Sequence, residues 1–194
     1  MTDDPCRCGS RHGTEFDRRQ AFTAGLAAAG AAGLSLSGPR PALAEAKRIA
    51  ALPEDEGFMR MALAEAALGD FPFGAIIVRD GKAAAKGRNL STARNDPTAH
   101  GEMVAIRDFV SKWPAAALKG TTLYTTREPC PMCMSAIIRC GIGRIVFGAS
   151  IEELAQRIGQ IMLTSETVAN AASFASVAIT GGVLSAEALA LFAK

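Results

Sequence analysis

Two clusters of metal-ligating side chains constrain this chain more than any other feature: His100-Gly101-Glu102, and Cys130-Pro131-Met132-Cys133, with 29 residues between His100 and Cys130. One imidazole nitrogen and two thiolates give zinc three protein ligands and leave the fourth position open, the arrangement of a catalytic rather than a structural site. Zinc lowers the pKa of a bound water from near 16 to about 7, so hydroxide becomes available at neutral pH. Glu102, two residues from a ligand, is placed to move that proton and is not expected to bind the metal. Cys140 lies seven residues beyond Cys133 and reads as a small core residue, because a fourth thiolate would close the site.

The surrounding pattern puts both clusters at helix starts. Thr98 is expected to cap a helix over Ala99 to Lys112, with Met103, Val104, Ile106 and Val110 as its buried side. A second helix over Pro131 to about Cys140 carries Cys133 in its first turn. The positive ends of both helices then point at the site and favour thiolate over thiol. Upstream, Asp55 to Leu68 has helical period with Glu65 off the apolar face. Gly74 to Val78 and Lys82 to Asn89 read as strands joined by an Asp80-Gly81 hairpin. Further strands are expected at Thr121 to Thr126, Arg144 to Phe147 and Ser176 to Thr180, and further helices at Glu152 to Arg157 and Ser185 to Phe192. Strands interleaved with helices imply an α/β class fold, a three-layer α/β/α sandwich around a mixed sheet of about five strands.

The first 44 residues have another character. Arg18-Arg19 precede an uncharged Ala/Gly-rich run through Ser37, and Pro41-Ala42-Leu43-Ala44 supplies an A-x-A site, the order of a twin-arginine export signal. The run is mostly Ala and Gly, whose insertion energies are too poor to hold a stable membrane span. Cleavage after Ala44 would leave Glu45 to Lys194 as an extracytoplasmic, periplasmic zinc domain. Five of the 21 basic and four of the 19 acidic residues leave with the signal, so 16 and 15 stay. That near-neutral balance lacks the basic footprint of a nucleic-acid binder and suits a small substrate. Only His100 is left to supply an imidazole, and Cys6 and Cys8 are removed.

H-x-E followed by P-C-x-x-C is the signature of zinc deaminases, and the chain resembles the cytidine and deoxycytidylate deaminase superfamily. Pro72-Phe73-Gly74-Ala75, Asn89, Asn95 to His100, Thr122-Leu123-Tyr124, Glu128 to Cys133, Arg144 to Gly148 and Gly181 to Leu184 carry the resemblance. They point to the branch of guanine deaminase, cytosine deaminase and tRNA adenosine deaminase. The resemblance implies one zinc per chain, a hydroxide on it attacking the amine-bearing ring carbon with Glu102 shuttling protons, Asn89 hydrogen-bonding the base, and a homodimer. Phe73 and the Glu128 to Met132 block are similar to guanine deaminase, while Gly101 and Thr122 to Thr126 are closer to cytosine deaminase. Guanine deaminases also use an acidic residue after the strand ending near Gly148, a place that Glu152 or Glu153 can fill. Guanine or cytosine, free or as nucleoside, is the favoured substrate, with a tRNA adenosine deaminase as the alternative. Export, the near-neutral charge, and four glutamates against Arg157 and Lys194 after Phe147 disfavour nucleic acid. From other classes, a C-x-x-C thiol oxidoreductase would leave His100 and Glu102 without a role, and a non-catalytic zinc module would be indifferent to Glu102→Gln.

Overall fold

The computed structural model describes residues 46–192, which lie in one compact unit. The segment expected to be an export signal, residues 1–44 with Cys6 and Cys8, lies outside the described residues. Among the described residues no helix is long and apolar enough to cross a membrane.

Six strands form one mixed sheet: β1 (Lys47–Arg48), β2 (Gly74–Arg79), β3 (Lys82–Arg88), β4 (Thr122–Arg127), β5 (Arg144–Ala149) and β6 (Ala178–Thr180). Their spatial order is β1-β6-β5-β4-β2-β3. The β2/β3 and β2/β4 pairs are antiparallel, and β4, β5, β6 and β1 run parallel. Asp80 and Gly81, with φ of 51° and 70°, make the tight turn between β2 and β3. Two successive left-handed residues match the twist of the paired strands, which is why this dipeptide favours a hairpin.

Side-chain alternation along the central strands builds two cores. Ala75, Ile77, Leu123 and Ile145 face one side, where they meet Ala105 and Phe109 of α2 (Gly101–Lys112) and Met134 and Ile137 of α3 (Pro131–Arg139). Ile76, Val78, Tyr124 and Val146 face the other, against Met59 and Ala62 of α1 (Asp55–Ala66). Both sheet faces are therefore covered, and the layers are α/β/α. Short helices α4 (Ile151–Ala155), α5 (Ser165–Asn170) and α6 (Ser185–Ala190) complete the described chain.

Several expectations change. The sheet has six strands because Lys47–Arg48 adds to the edge of β6, Ile49 donating its N–H to Ile179 at 3.0 Å. The buried face of α2 runs through Val104, Ala105, Ile106 and Phe109, whereas Val110 is 42% exposed. Thr98 does not cap α2: its hydroxyl and N–H both turn back to Asp96, at 2.6 and 2.8 Å. Glu65 is buried rather than solvated, gripped by Lys86 at 2.8 Å and Arg88 at 3.3 Å from β3.

Candidate active site

The metal-ligating residues meet where α2 and α3 begin. His100 is the residue that caps α2, with extended backbone and its carbonyl accepting the Val104 N–H at 2.9 Å. Cys130 holds the same place on α3, with Pro131 fixing the first helical position and the Cys130 carbonyl accepting from Met134 at 2.8 Å. Cys133 follows one turn in, fully buried. The Cys130 and Cys133 sulfurs each lie 3.6 Å from His100 Nδ1, and the three ligand atoms are within 4.8 Å of one another. Tetrahedral zinc with Zn–S near 2.3 Å and Zn–N near 2.1 Å requires N···S spacings of about 3.6 Å. The three residues therefore fit a zinc ion. Cys140 is not part of the group; it is half-buried and packs against the core.

The thiols are electrostatically prepared for a metal. Cys130 is brought down to about 3 by a hydrogen bond from Cys133, with His100 and the Arg127 charge assisting. Cys133 is pushed up, first by its bond to Cys130, then by burial and by the negative charge of Glu102. The pair thus keeps one proton, which a dication would displace.

Glu102 is completely buried, and neither carboxylate oxygen has a partner. A buried carboxylate without hydrogen bonds is costly unless it addresses a ligand, which marks Glu102 as a group aimed at chemistry. Asn89 is also buried, at the end of β3, where its N–H bonds the Phe73 carbonyl at 2.8 Å. Its side-chain oxygen accepts from the Ser91 N–H and hydroxyl, so part of its amide serves the local turn. Next along the chain, Leu90 donates to Ala99 at 2.9 Å, which ties this turn to the residue before His100.

Two residues gain roles that sequence reading did not assign. Glu128 is buried, and its carboxylate accepts the Ile151 N–H at 3.0 Å and the Ser165 N–H at 2.7 Å, pinning the starts of α4 and α5 beside Cys130. Arg127, at the end of β4, is buried with one terminal nitrogen 2.8 Å from His100 Nδ1. A charge closing the uncharged Thr121 to Thr126 run was its available signal. Glu153 is committed elsewhere: it forms a capping box with Ser150 and accepts the Ser185 hydroxyl at 3.0 Å.

Residues 52–149 match the family described as the cytidine and deoxycytidylate deaminase zinc-binding region. The chain belongs to this family of zinc-type deaminases, and its fold is the cytidine deaminase-like one. It is 46% identical over 101 residues to the tRNA-specific adenosine deaminase of Haemophilus influenzae, covering 50% of this chain and 58% of that protein. It is 53% identical over 66 residues to the guanine deaminase of Bacillus subtilis, covering 34% and 42%. A solved structure from work on A-to-I editing by tRNA:A34 deaminases superposes with a TM-score of 0.59 at 28% identity, over 70% of this chain and 98% of that one. The match thus spans only part of these curated relatives, 58% of the one and 42% of the other. Relatives named as tRNA-specific adenosine deaminases stand among them, the class that the charge balance disfavoured and that was kept as the alternative.

Proposed function

We propose that this chain is a zinc-dependent hydrolytic deaminase of a nucleobase, with His100, Cys130 and Cys133 as metal ligands and Glu102 as the proton carrier. The observation that carries this reading is a three-ligand metal site next to a buried carboxylate that has no partner within the protein. Zinc held there would supply water activated at neutral pH. Glu102 would take a proton from that water, give it to the ring nitrogen beside the amine-bearing carbon, and carry a second one to the departing amine. Water adds, ammonia leaves, and the ring keeps a carbonyl. Asn89, whose side-chain oxygen is used by Ser91, would offer its amide N–H groups to the base.

Adenosine in tRNA is the substrate that the relatives support most widely. A free base or nucleoside is the second reading, favoured by the 53% identity over 66 residues with the guanine deaminase and by the twin-arginine pattern of residues 1–44, since an exported protein would not meet tRNA. Cleavage after Ala44, a periplasmic location and a homodimer belong to the same proposal. The test is ammonia release by the zinc-loaded full chain from tRNA, guanine, cytosine, adenine and their nucleosides. Turnover of one member identifies the substrate class; no ammonia from any of them overturns the reading in favour of a non-catalytic zinc module.

A further inference from the structure

Arg127 carries a charge into the site that the metal does not use. The residue is 5% exposed. Its guanidinium carbon lies 4.0 Å from the centre of the Phe73 ring, and Phe192 supports Phe73 from behind at 5.4 Å between centroids. Its Nε is buried without a partner, and among the described residues Arg127 forms no salt bridge, not even with Glu102. A guanidinium is a donor only, with five N–H bonds to place. Burying it unmatched is expensive. The partner it does have, His100 Nδ1, is the same atom that faces both sulfurs at 3.6 Å. A lone pair given to the metal is not available to Arg127. Stacked on the Phe73 face, the guanidinium then stands beside the metal-ligating residues with donors left unmet.

We propose that Arg127 is a specificity-determining residue whose guanidinium receives a carbonyl oxygen or an anionic acceptor on the substrate ring, so that the pocket prefers oxo-bearing amino heterocycles to adenine. This rests on the deaminase reading of the same site and favours its second form. Guanine and cytosine each carry an exocyclic carbonyl oxygen, and adenine carries none. A charge-assisted bond made by one base and missed by the other corresponds to roughly 10- to 100-fold in affinity. The adjacent dication and guanidinium together also select for negative potential on the ligand.

The test is binding of guanine, cytosine and adenine, read by rapid mixing before turnover, to the zinc-loaded full chain and to Arg127→Met and Arg127→Lys, with zinc content measured in each. The natural chain should hold an oxo base at least about tenfold more tightly than adenine, and Arg127→Met should bring the two within about threefold. Arg127→Lys keeps the charge without the fork and should fall between. No preference in the natural chain, or an unchanged preference in Arg127→Met, overturns the proposal. Should Arg127→Met fail to fold, Arg127→Lys decides: a preference reduced about threefold or more supports the role, and an unchanged one overturns it. Ammonia release in the same samples separates the two claims. A preference that depends on Arg127 without ammonia from any base defeats the deaminase reading and upholds Arg127, and ammonia with a preference independent of Arg127 does the reverse.

Discussion

Gly87 lies against Gly101 so closely that a β-carbon on Gly87 would fall 2.2 Å from the Gly101 carbonyl oxygen and 2.3 Å from the Ala105 nitrogen. The first turn of α2 therefore rests directly on β3, and that contact sets the height of His100 and Glu102 above the sheet. Backbone atoms cannot yield as a flexible side chain can. Gly87→Ala is expected to destabilise the fold by about 1–3 kcal/mol, as overpacking does, and to lower zinc occupancy by displacing His100. Thermal melting with metal analysis checks both effects.

Asp55 anchors the opposite end of the sheet. It is fully buried, bonds Arg144 at 2.8 and 2.6 Å, and accepts from the Tyr124 hydroxyl at 2.9 Å and the Leu52 N–H at 2.7 Å. Burial pushes its carboxyl up, but these bonds, led by Arg144, outweigh burial and hold it below 3.8. A carboxyl depressed in the folded state stabilises above its unfolded pKa and loses that contribution as pH falls through the folded one. Asp55→Asn should cost about 3 kcal/mol at neutral pH by leaving Arg144, whose side chain is only 12% exposed, without its charge partner. Denaturant titrations should show that gap closing as the pH falls below 3.8.

Glu128 takes two backbone N–H groups that α4 and α5 cannot satisfy themselves. Glu128→Ala removes both acceptors and should cost about 2–5 kcal/mol, with accelerated amide exchange at Ile151 and Ser165. Glu128→Gln, which keeps an acceptor, should lose less. Unchanged exchange at both amides would count against this role.

Cys133 and Cys140 sit on or next to the same helix, yet they should behave in opposite ways. Cys133→Ser should abolish stoichiometric zinc binding, while Cys140→Ala should keep the metal and cost no more than about 1 kcal/mol as a partly exposed truncation. Metal analysis and melting curves of the two variants make the comparison.

Much of this molecule was legible because its signals are local. The short apolar, β-branched run Gly74 to Val78, the Asp80-Gly81 turn, and the order of His100, Glu102, Cys130 and Cys133 each rest on neighbours in sequence, and the structure brings the metal-ligating residues within reach of one zinc ion. What escaped depends on partners far along the chain. Lys47–Arg48 has two exposed side chains and becomes a strand only because β6 offers an edge. Ser165–Asn170 takes its buried N-terminal bond from Glu128, 37 positions earlier. The face of α2 was misplaced at Val110 because one residue turns a helix by about 100°, and Phe109 was the one that met the sheet. Arg127 ends a strand that otherwise reads as core, and only the assembled site shows that its charge faces the metal ligands.

The central claim is that the metal and Glu102 act together on the amine-bearing carbon of a base. The most direct test is ammonia release by the zinc-loaded full chain and by Glu102→Gln, with zinc measured in both. Equal zinc is expected in the two proteins, with a rate in Glu102→Gln reduced by about 10²–10⁴-fold. Turnover in Glu102→Gln within about threefold of the natural chain, with zinc retained, would contradict the role of Glu102 as proton carrier.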